Sequence, residues 1–411
     1  MINEKRFKEN FDEISKFGAL DGGGLTRLAF SNEDKNAREF LINLMKNAGL
    51  KVRIDTVGNI FAKFDNVIDP NLPAVSVGSH IDSVPKGGFY DGTLGVMAGL
   101  EAIMSIKESG IKIKRPLELI VFVCEESSRF KMATIGSKIV SGKLSLDRVK
   151  ELKDDNEISV FQAMKNFGLM PENLQKSILK DNTYKSYIEL HIEQGRVLEQ
   201  KGFSVGIVTG IAAPIRFELN IKARADHSGA TPMDMRNDAL IAASHIILKA
   251  QELAKKEKTA VATVGYIRVI PGALNVVPGE VVMGVDIRDI DELTLDLVNE
   301  NLRAYIKSLS KELNFSYDIK ELAYDKPVKL DDDMINLLYE NAKNLEINSL
   351  KMPSGAGHDA MHLKGIAKSV GMIFVPCKDG ISHNINESIN FSDAIKGTKI
   401  LEKTMLVLAS E

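Results

Sequence analysis

The chain has 411 residues, with 53 Lys and Arg against 56 Asp and Glu and a hydrophobic fraction of 44%. That length exceeds what a single core usually fills, so two domains are expected, and the apolar content suffices for both. The near-balanced charge argues against a basic face for nucleic acid or anionic lipid and favours a small-molecule partner.

The N-terminal stretch "MINEKRFKENFDEISKF" is charged and helix-patterned, without the apolar core of a signal peptide. No apolar run approaches the ~20 residues of a membrane span. Cys124 and Cys377 each adjoin an apolar run and read as buried thiols of a reducing compartment. A cytoplasmic protein is expected. "DGGG", Asp21 to Gly24, lacks the Lys and Ser or Thr of a phosphate loop and reads as a flexible turn.

"SNEDKNAREFLINLMKNAGL" predicts a helix capped by Ser31 and stopped at Gly49. "LPAVSVGSH" predicts a strand, "GTLGVMAGLEAIMSIKESG" a helix packed through small residues, and "PLELIVFVC" the next strand. This alternation predicts an α/β domain with a largely parallel sheet between helices. From about Asn220 to Ala323 the rhythm becomes β-α-β-β-α-β, the split βαβ order of a ferredoxin-like domain. After it, "DDDMINLLYENAKNL", "VGMIFVP" and "FSDAIKGTKILEKTMLVLA" return to the first pattern. The reading is an insertion: residues 1–211 and 326–411 form one α/β domain, interrupted by a smaller one at 212–325.

Ligands of such sheets sit beyond the carboxyl ends of the strands. His80 in "GSHIDSV" falls at one such end, two residues before Asp82, which on an extended segment shares its face and can accept from the ring nitrogen that does not bind a metal. A capped histidine in a turn is the competing reading. Asp91, in the glycine-bracketed "GGFYDGTLG", taken alone reads as a helix cap. Glu125 and Glu126 close the strand in "CEESSRF", where the turning chain lets both face one pocket; taken alone they read as solvated charges. His191 in "YIELHIEQG" and His383 in "GISHNINE" complete three imidazoles and two ligand-type carboxylates at strand-end loops. That set suits zinc, manganese, cobalt or nickel, and a bridging carboxylate lets two ions share it. Paired ions polarise a carbonyl and activate a water, which leaves one carboxylate free to act as base.

The segments "GSHIDSVPKGGFYDGTLGV", "EESSRF", "ELHIEQGRVLE", "HSGATPM", "NVVPG", "DIRD", "SGAGHDA" and "DGISHN" follow one another across nearly the whole chain. In that order they resemble the dinuclear metallo-amidohydrolases of the aminoacylase and carboxypeptidase clan. The matching branch holds the hydantoinase-linked L-carbamoylases, allantoate amidohydrolases and ureidopropionases. The resemblance implies a phosphorylase/hydrolase-like catalytic domain with a mixed, largely parallel sheet, plus an inserted ferredoxin-like lid and dimerisation domain. It implies two divalent metal ions per subunit, one held by His80 and His191, the other by Glu126 and His383, with Asp91 bridging. Glu125 becomes the general base and Asp82 the group behind His80.

His227 becomes the oxyanion's partner, reaching the active site of the partner subunit of a homodimer. Asn275 and Arg288 become the holders of the substrate carboxylate, Arg288 through its planar fork; a surface pair with Asp286 or Asp289 is the plainer reading of Arg288. Gln194 and Gly357 resemble contacts to the ureido end and the carboxylate. The implied substrate is an N-carbamoyl-L-amino acid, with allantoate and ureidopropionate as alternatives and a dipeptide or acylated amine behind them. A metal-free binding protein on the same fold is the rival of another class. Ser127 and Ser128 depart from the small residues that many relatives place after the glutamates. His358 and His362 have a helical metal-ligand spacing but lack the glutamate of the zincin signature between them; His358 is read as ordering the substrate loop.

Overall fold

The computed structural model describes residues 1–411 and divides them into two units. The first comprises Met1–Thr209, Leu330–Met352 and His358–Glu411; the second, Gly210–Lys329 and Pro353–Gly357.

The first unit is built on a mixed sheet. Its strands run in the spatial order Lys51–Ile54, Ile60–Phe64, Leu117–Phe122, Ala74–His80, Tyr184–Ile192, Val370–Val375 and Val205–Ile211. The four from Leu117–Phe122 to Val370–Val375 are mutually parallel. They are almost wholly buried, which matches their continuous apolar runs. The outer pairs Ile60–Phe64 with Leu117–Phe122 and Val370–Val375 with Val205–Ile211 are antiparallel. Parallel strands share one direction, so the residues that end them collect at one edge of the sheet.

The helices Thr93–Glu108 and Phe391–Ser410 lie against this sheet and each other, and small residues set how closely they approach. A Cβ on Gly95 would stand 2.1 Å from the carbonyl oxygen of Leu190, and one on Gly99 2.8 Å from Val77. The helix Asn32–Asn47 is capped by Ser31, whose side chain accepts from the Asp34 amide. A separate apolar cluster under residues 123–178 gathers Phe30, Val57, Cys124, Phe130, Ile135, Val149 and Val160. Its short helices Ile135–Val140, Leu146–Glu151 and Val160–Asn166 are too brief to show a period in the sequence.

In the second unit, Ala213–Lys222, Val261–Ile270, Glu280–Asp289 and Ser316–Tyr324 form an antiparallel sheet. Numbered along the chain within this unit, they stand in the order fourth, first, third, second, which is the ferredoxin-like arrangement. Ala239–Lys256 and Glu292–Glu312 pack on the sheet around a core that includes Phe217, Leu219, Ile246, Met283, Val298 and Leu302. Alternate burial along Ala213–Lys222 gives the sheet its single apolar face.

Candidate metal centre

His80 ends its strand, His191 is the last residue but one of its own, and Glu125 and Glu126 follow Leu117–Phe122. Cys124 takes a left-handed conformation, φ 54°, which breaks the strand's alternation just before the two glutamates. Both then lie in the same buried group, 8% and 7% exposed. Gln194 and His383 also hold positive φ, 58° and 54°. Such backbone costs about 1–3 kcal/mol per residue and tends to gather at functional sites. Gly92 has no alternative: its φ is 63°, and a Cβ there would stand 2.4 Å from the ring of His80.

Asp91 is the centre of the arrangement. Its Oδ1 lies 3.5 Å from His80 Nε2 and 3.3 Å from His191 Nε2, and its Oδ2 lies 3.3 Å from His383 Nε2. Glu126 Oε1 is 3.4 Å from the same His383 nitrogen. Potential ligand atoms of His80, Asp91 and His191 converge within 4.8 Å of one another, as do those of Asp91, Glu126 and His383. Two ligands each about 2.1 Å from one ion at a tetrahedral angle stand about 3.4 Å apart, so these separations fit shared ions. Because its two oxygens face different triads, Asp91 has the geometry of a bridge. Glu125 belongs to neither triad, and its Oε2 stands 3.6 Å from His80 Nε2.

The imidazoles are aimed from behind. His80 Nδ1 faces the Asp82 carbonyl oxygen at 3.0 Å and His191 Nδ1 that of Ile192 at 2.9 Å, which turns each Nε2 toward Asp91. The expectation for Asp82 is corrected here. Its carboxylate stands 3.7 Å from His80 Nδ1 and instead accepts the backbone amides of Glu125 at 3.1 Å and Glu126 at 3.0 Å. The amides that the left-handed turn frees from the ladder attract it more effectively than a ring already served by a carbonyl.

Burial, reinforced by Glu126, Asp359 and Asp82, pushes the Glu125 carboxyl well above its usual range despite the opposing field of His80. Burial and Asp91 raise Glu126 to about 7. Burial alone would lower His80 and raise Asp91, but contact between imidazoles and carboxylates reverses both shifts. Asp91 raises His383 to about 9.

Gln194 donates from Nε2 to Asp91 Oδ2 at 2.8 Å, and its buried Oε1 has no hydrogen-bond partner. Ser127 and Ser128 are exposed, and the Ser127 carbonyl accepts from the Lys131 amide, so they close the loop. His358 and His362 do not converge: the His358 ring lies against His191, with centroids 4.5 Å apart, while His362 Nε2 is 2.9 Å from Thr134 Oγ1. A further triad of Glu189, His191 and His358 also converges. The Glu189 oxygens there already accept from the Ser79 hydroxyl and the Ala360 amide.

Sequence reasoning missed Glu387. It is 4% exposed, accepts the amides of Tyr90 at 2.9 Å and Asp91 at 3.2 Å, and thereby fixes the loop that carries Asp91. Its one sequence signal is its position four residues after His383.

In the second unit, His227 lies on the two-residue strand Asp226–His227, paired with Val276–Val277. Its Nδ1 accepts the amides of Gly229 and Ala230, both at 3.1 Å, so the neutral ring carries its proton on the exposed Nε2. Asn275 is exposed, and its carbonyl accepts from the Ser228 amide. The Arg288 fork binds both oxygens of Asp286, at 2.9 and 3.1 Å, and donates to the Gly355 carbonyl at 3.0 Å. Gly357 ends the short segment Pro353–Gly357 of the same unit.

A strand-end cluster of imidazoles and carboxylates on a mixed α/β sheet defines a class, the metal-dependent hydrolases. The chain belongs to peptidase family M20/M25/M40, whose model matches residues 76–407. It is 38% identical over 409 residues to the N-carbamoyl-L-amino acid amidohydrolase of Geobacillus stearothermophilus, covering 100% of this chain and 99% of the relative. It is 34% identical over 403 residues to the allantoate amidohydrolase of Escherichia coli, covering 98% and 97%. Among solved structures it matches an amidase of the hydantoinase/carbamoylase family from Burkholderia multivorans with a TM-score of 0.93 and 32% identity, covering 100% of this chain and 98% of that one. The protein is an enzyme, a hydrolase of amidohydrolase kinship. None of its helices is long and apolar enough to cross a membrane.

Proposed function

We propose that this enzyme hydrolyses the ureido C–N bond of N-carbamoyl-L-amino acids, giving the L-amino acid, ammonia and carbon dioxide. The observation that carries the reading is the division of labour around Asp91: two ligand triads share it, and the adjoining Glu125 belongs to neither. His80, His191 and Asp91 would hold one ion, and Glu126 and His383 with Asp91 a second. Zinc, manganese, cobalt and nickel all suit these donors. Bound divalent ions would polarise the ureido carbonyl and make a water acidic.

Glu125 takes a proton from the attacking water as the water's oxygen bonds to the ureido carbon. It then delivers the proton to the amino nitrogen as the C–N bond breaks. The carbamate released separates into ammonia and carbon dioxide. Asp82, by holding the Glu125 and Glu126 amides, keeps the base and its ligand neighbour in register. Gln194 Oε1, buried and without a partner, is an acceptor suited to the ureido NH2.

By resemblance we assign His227 to the oxyanion, and Asn275 and Arg288, with Gly357, to the substrate carboxylate. The exposed Nε2–H of His227 is the donor that such a role needs. A homodimer is part of the proposal. The sheet-edge strand Val261–Ile270 exposes Val261, Tyr266, Ile267 and Ile270, as a strand kept for pairing would.

Allantoate is the second reading, favoured by the similarity to the Escherichia coli enzyme. Side-by-side turnover of carbamoyl-methionine, allantoate and ureidopropionate with added manganese decides between them. The proposal expects the first to be preferred, and no turnover of it would overturn the choice.

A further inference from the structure

Arg27 heads the fully buried side chains by volume, with no exposure to solvent. None of its fork's hydrogen-bond partners is a carboxylate. Nε donates to the Ile81 carbonyl at 2.6 Å, one terminal nitrogen to the carbonyls of Ile14 at 3.0 Å and Phe17 at 2.9 Å, and the other to Thr93 Oγ1 at 2.8 Å. Burying a cation without a paired anion is costly, and desolvation pulls this guanidinium down to about 10 against the fields of Asp34 and Asp82. Lining a core does not require such a residue. What it touches suggests its purpose.

Ile81 lies between His80 and Asp82, so Nε grips the backbone of the turn that carries the first ligand. Thr93 lies two residues after Asp91, and its amide donates to the Asp91 carbonyl at 2.6 Å. The Arg27 backbone joins in: its amide donates to Ser83 Oγ and its carbonyl accepts the Ser83 amide, both at 2.9 Å. The third anchor is the carboxyl end of the helix Glu4–Ser15, where the negative end of the helix dipole favours a cation and the Ile14 carbonyl accepts from both the Phe17 amide and Arg27. A planar fork holds its donors at fixed angles, which the single ammonium of lysine cannot do.

We propose that Arg27 is a positioning residue: its fork sets the spacing between the turns of His80 and Asp91, and with it the affinity for the ion those residues share. This rests on the metal reading above. The test is manganese binding to chelator-stripped protein, followed by electron paramagnetic resonance and paired with thermal unfolding. The variants are Arg27→Lys, Thr93→Val and, as a control, Leu41→Ala in the core helix Asn32–Asn47, remote in sequence from the ligands.

Arg27→Lys is expected to weaken one manganese site by about tenfold or more and leave the other within about threefold. Thr93→Val, which removes one acceptor and keeps the shape, is expected to weaken the same site less. Leu41→Ala is expected to lower the melting temperature without changing either affinity. Wild-type affinity in folded Arg27→Lys overturns the proposal, as does equal weakening in Leu41→Ala. If Arg27→Lys does not fold, Thr93→Val decides, and unchanged affinity there overturns it. Wild-type protein that binds no manganese would instead bring down the metal reading, and this inference with it.

Discussion

Two clusters of opposite charge sit in this molecule, one at the strand ends of the first unit and one on the strand Glu280–Asp289 of the second. In the second, the charges satisfy one another. Asp286 accepts two bonds from Arg288 and one from Arg216 at 2.7 Å, and these arginines hold its carboxyl below the usual range against the effect of burial. In the first cluster the groups are braced from outside. Backbone carbonyls take the far nitrogens of His80 and His191, Asp82 takes the amides of Glu125 and Glu126, and Glu387 takes that of Asp91. The near atoms are left to converge on two points. A self-neutralised pair needs no metal ion, whereas a convergent, braced set of donors calls for an external cation.

The contrast can be broken most severely at Asp91. Asp91→Ala is expected to abolish both manganese sites and all measurable turnover, while a comparable deletion in the other cluster, Asp286→Ala, leaves metal content unchanged; elemental analysis after gel filtration reads this. Next is Glu125→Gln, expected to keep both ions and lose about 10³-fold or more in kcat, the scale of a general acid–base group. Full activity would remove Glu125 from the mechanism. In the second cluster, Arg288→Lys is expected to raise KM for carbamoyl-methionine by about 10- to 100-fold with kcat little changed. That is the scale of a lost charge-assisted hydrogen bond, and steady-state kinetics separates the two constants.

The smallest effect concerns a carboxyl outside both clusters. Burial raises Asp34 to about 6, opposed by Arg38, and its Oδ2 accepts the Phe30 amide at 2.8 Å. Because the folded pKa lies above the unfolded one, its contribution to stability is full below about pH 4 and is lost as pH rises through about 6. Asp34→Asn keeps an acceptor for Phe30 and carries no charge to bury. It is expected to be more stable than wild type above pH 6, by at most about 3 kcal/mol. Urea unfolding at pH 4.5 and 7.5 measures the difference, which should shrink to about a third at the lower value.

Much of this was legible in the sequence because strands and ligands obey local rules. Continuous apolar runs mark the buried parallel strands, and His80, His191 and Glu125–Glu126 stand at or just past the ends of such runs. The alternating pattern of the inserted unit likewise gave its element order. What sequence could not convey was the direction of short polar side chains. Asp82 two residues after His80 suggests a partner for the ring, but the left-handed turn at Cys124 presents two amides that claim its carboxylate. Arg27 and Glu387 were missed for a related reason. Each binds groups brought together only by the fold, and apart from the nearness of Glu387 to His383 nothing in their neighbours marks them.

The central claim is that the strand-end donors form a two-ion centre on which hydrolysis depends. Its most direct test is to strip wild-type protein with chelator, return manganese in measured steps, and follow carbamoyl-methionine hydrolysis against bound metal. Stripped enzyme is expected to be inactive, and activity to return fully as two ions bind per chain. Undiminished turnover after complete metal removal would contradict it.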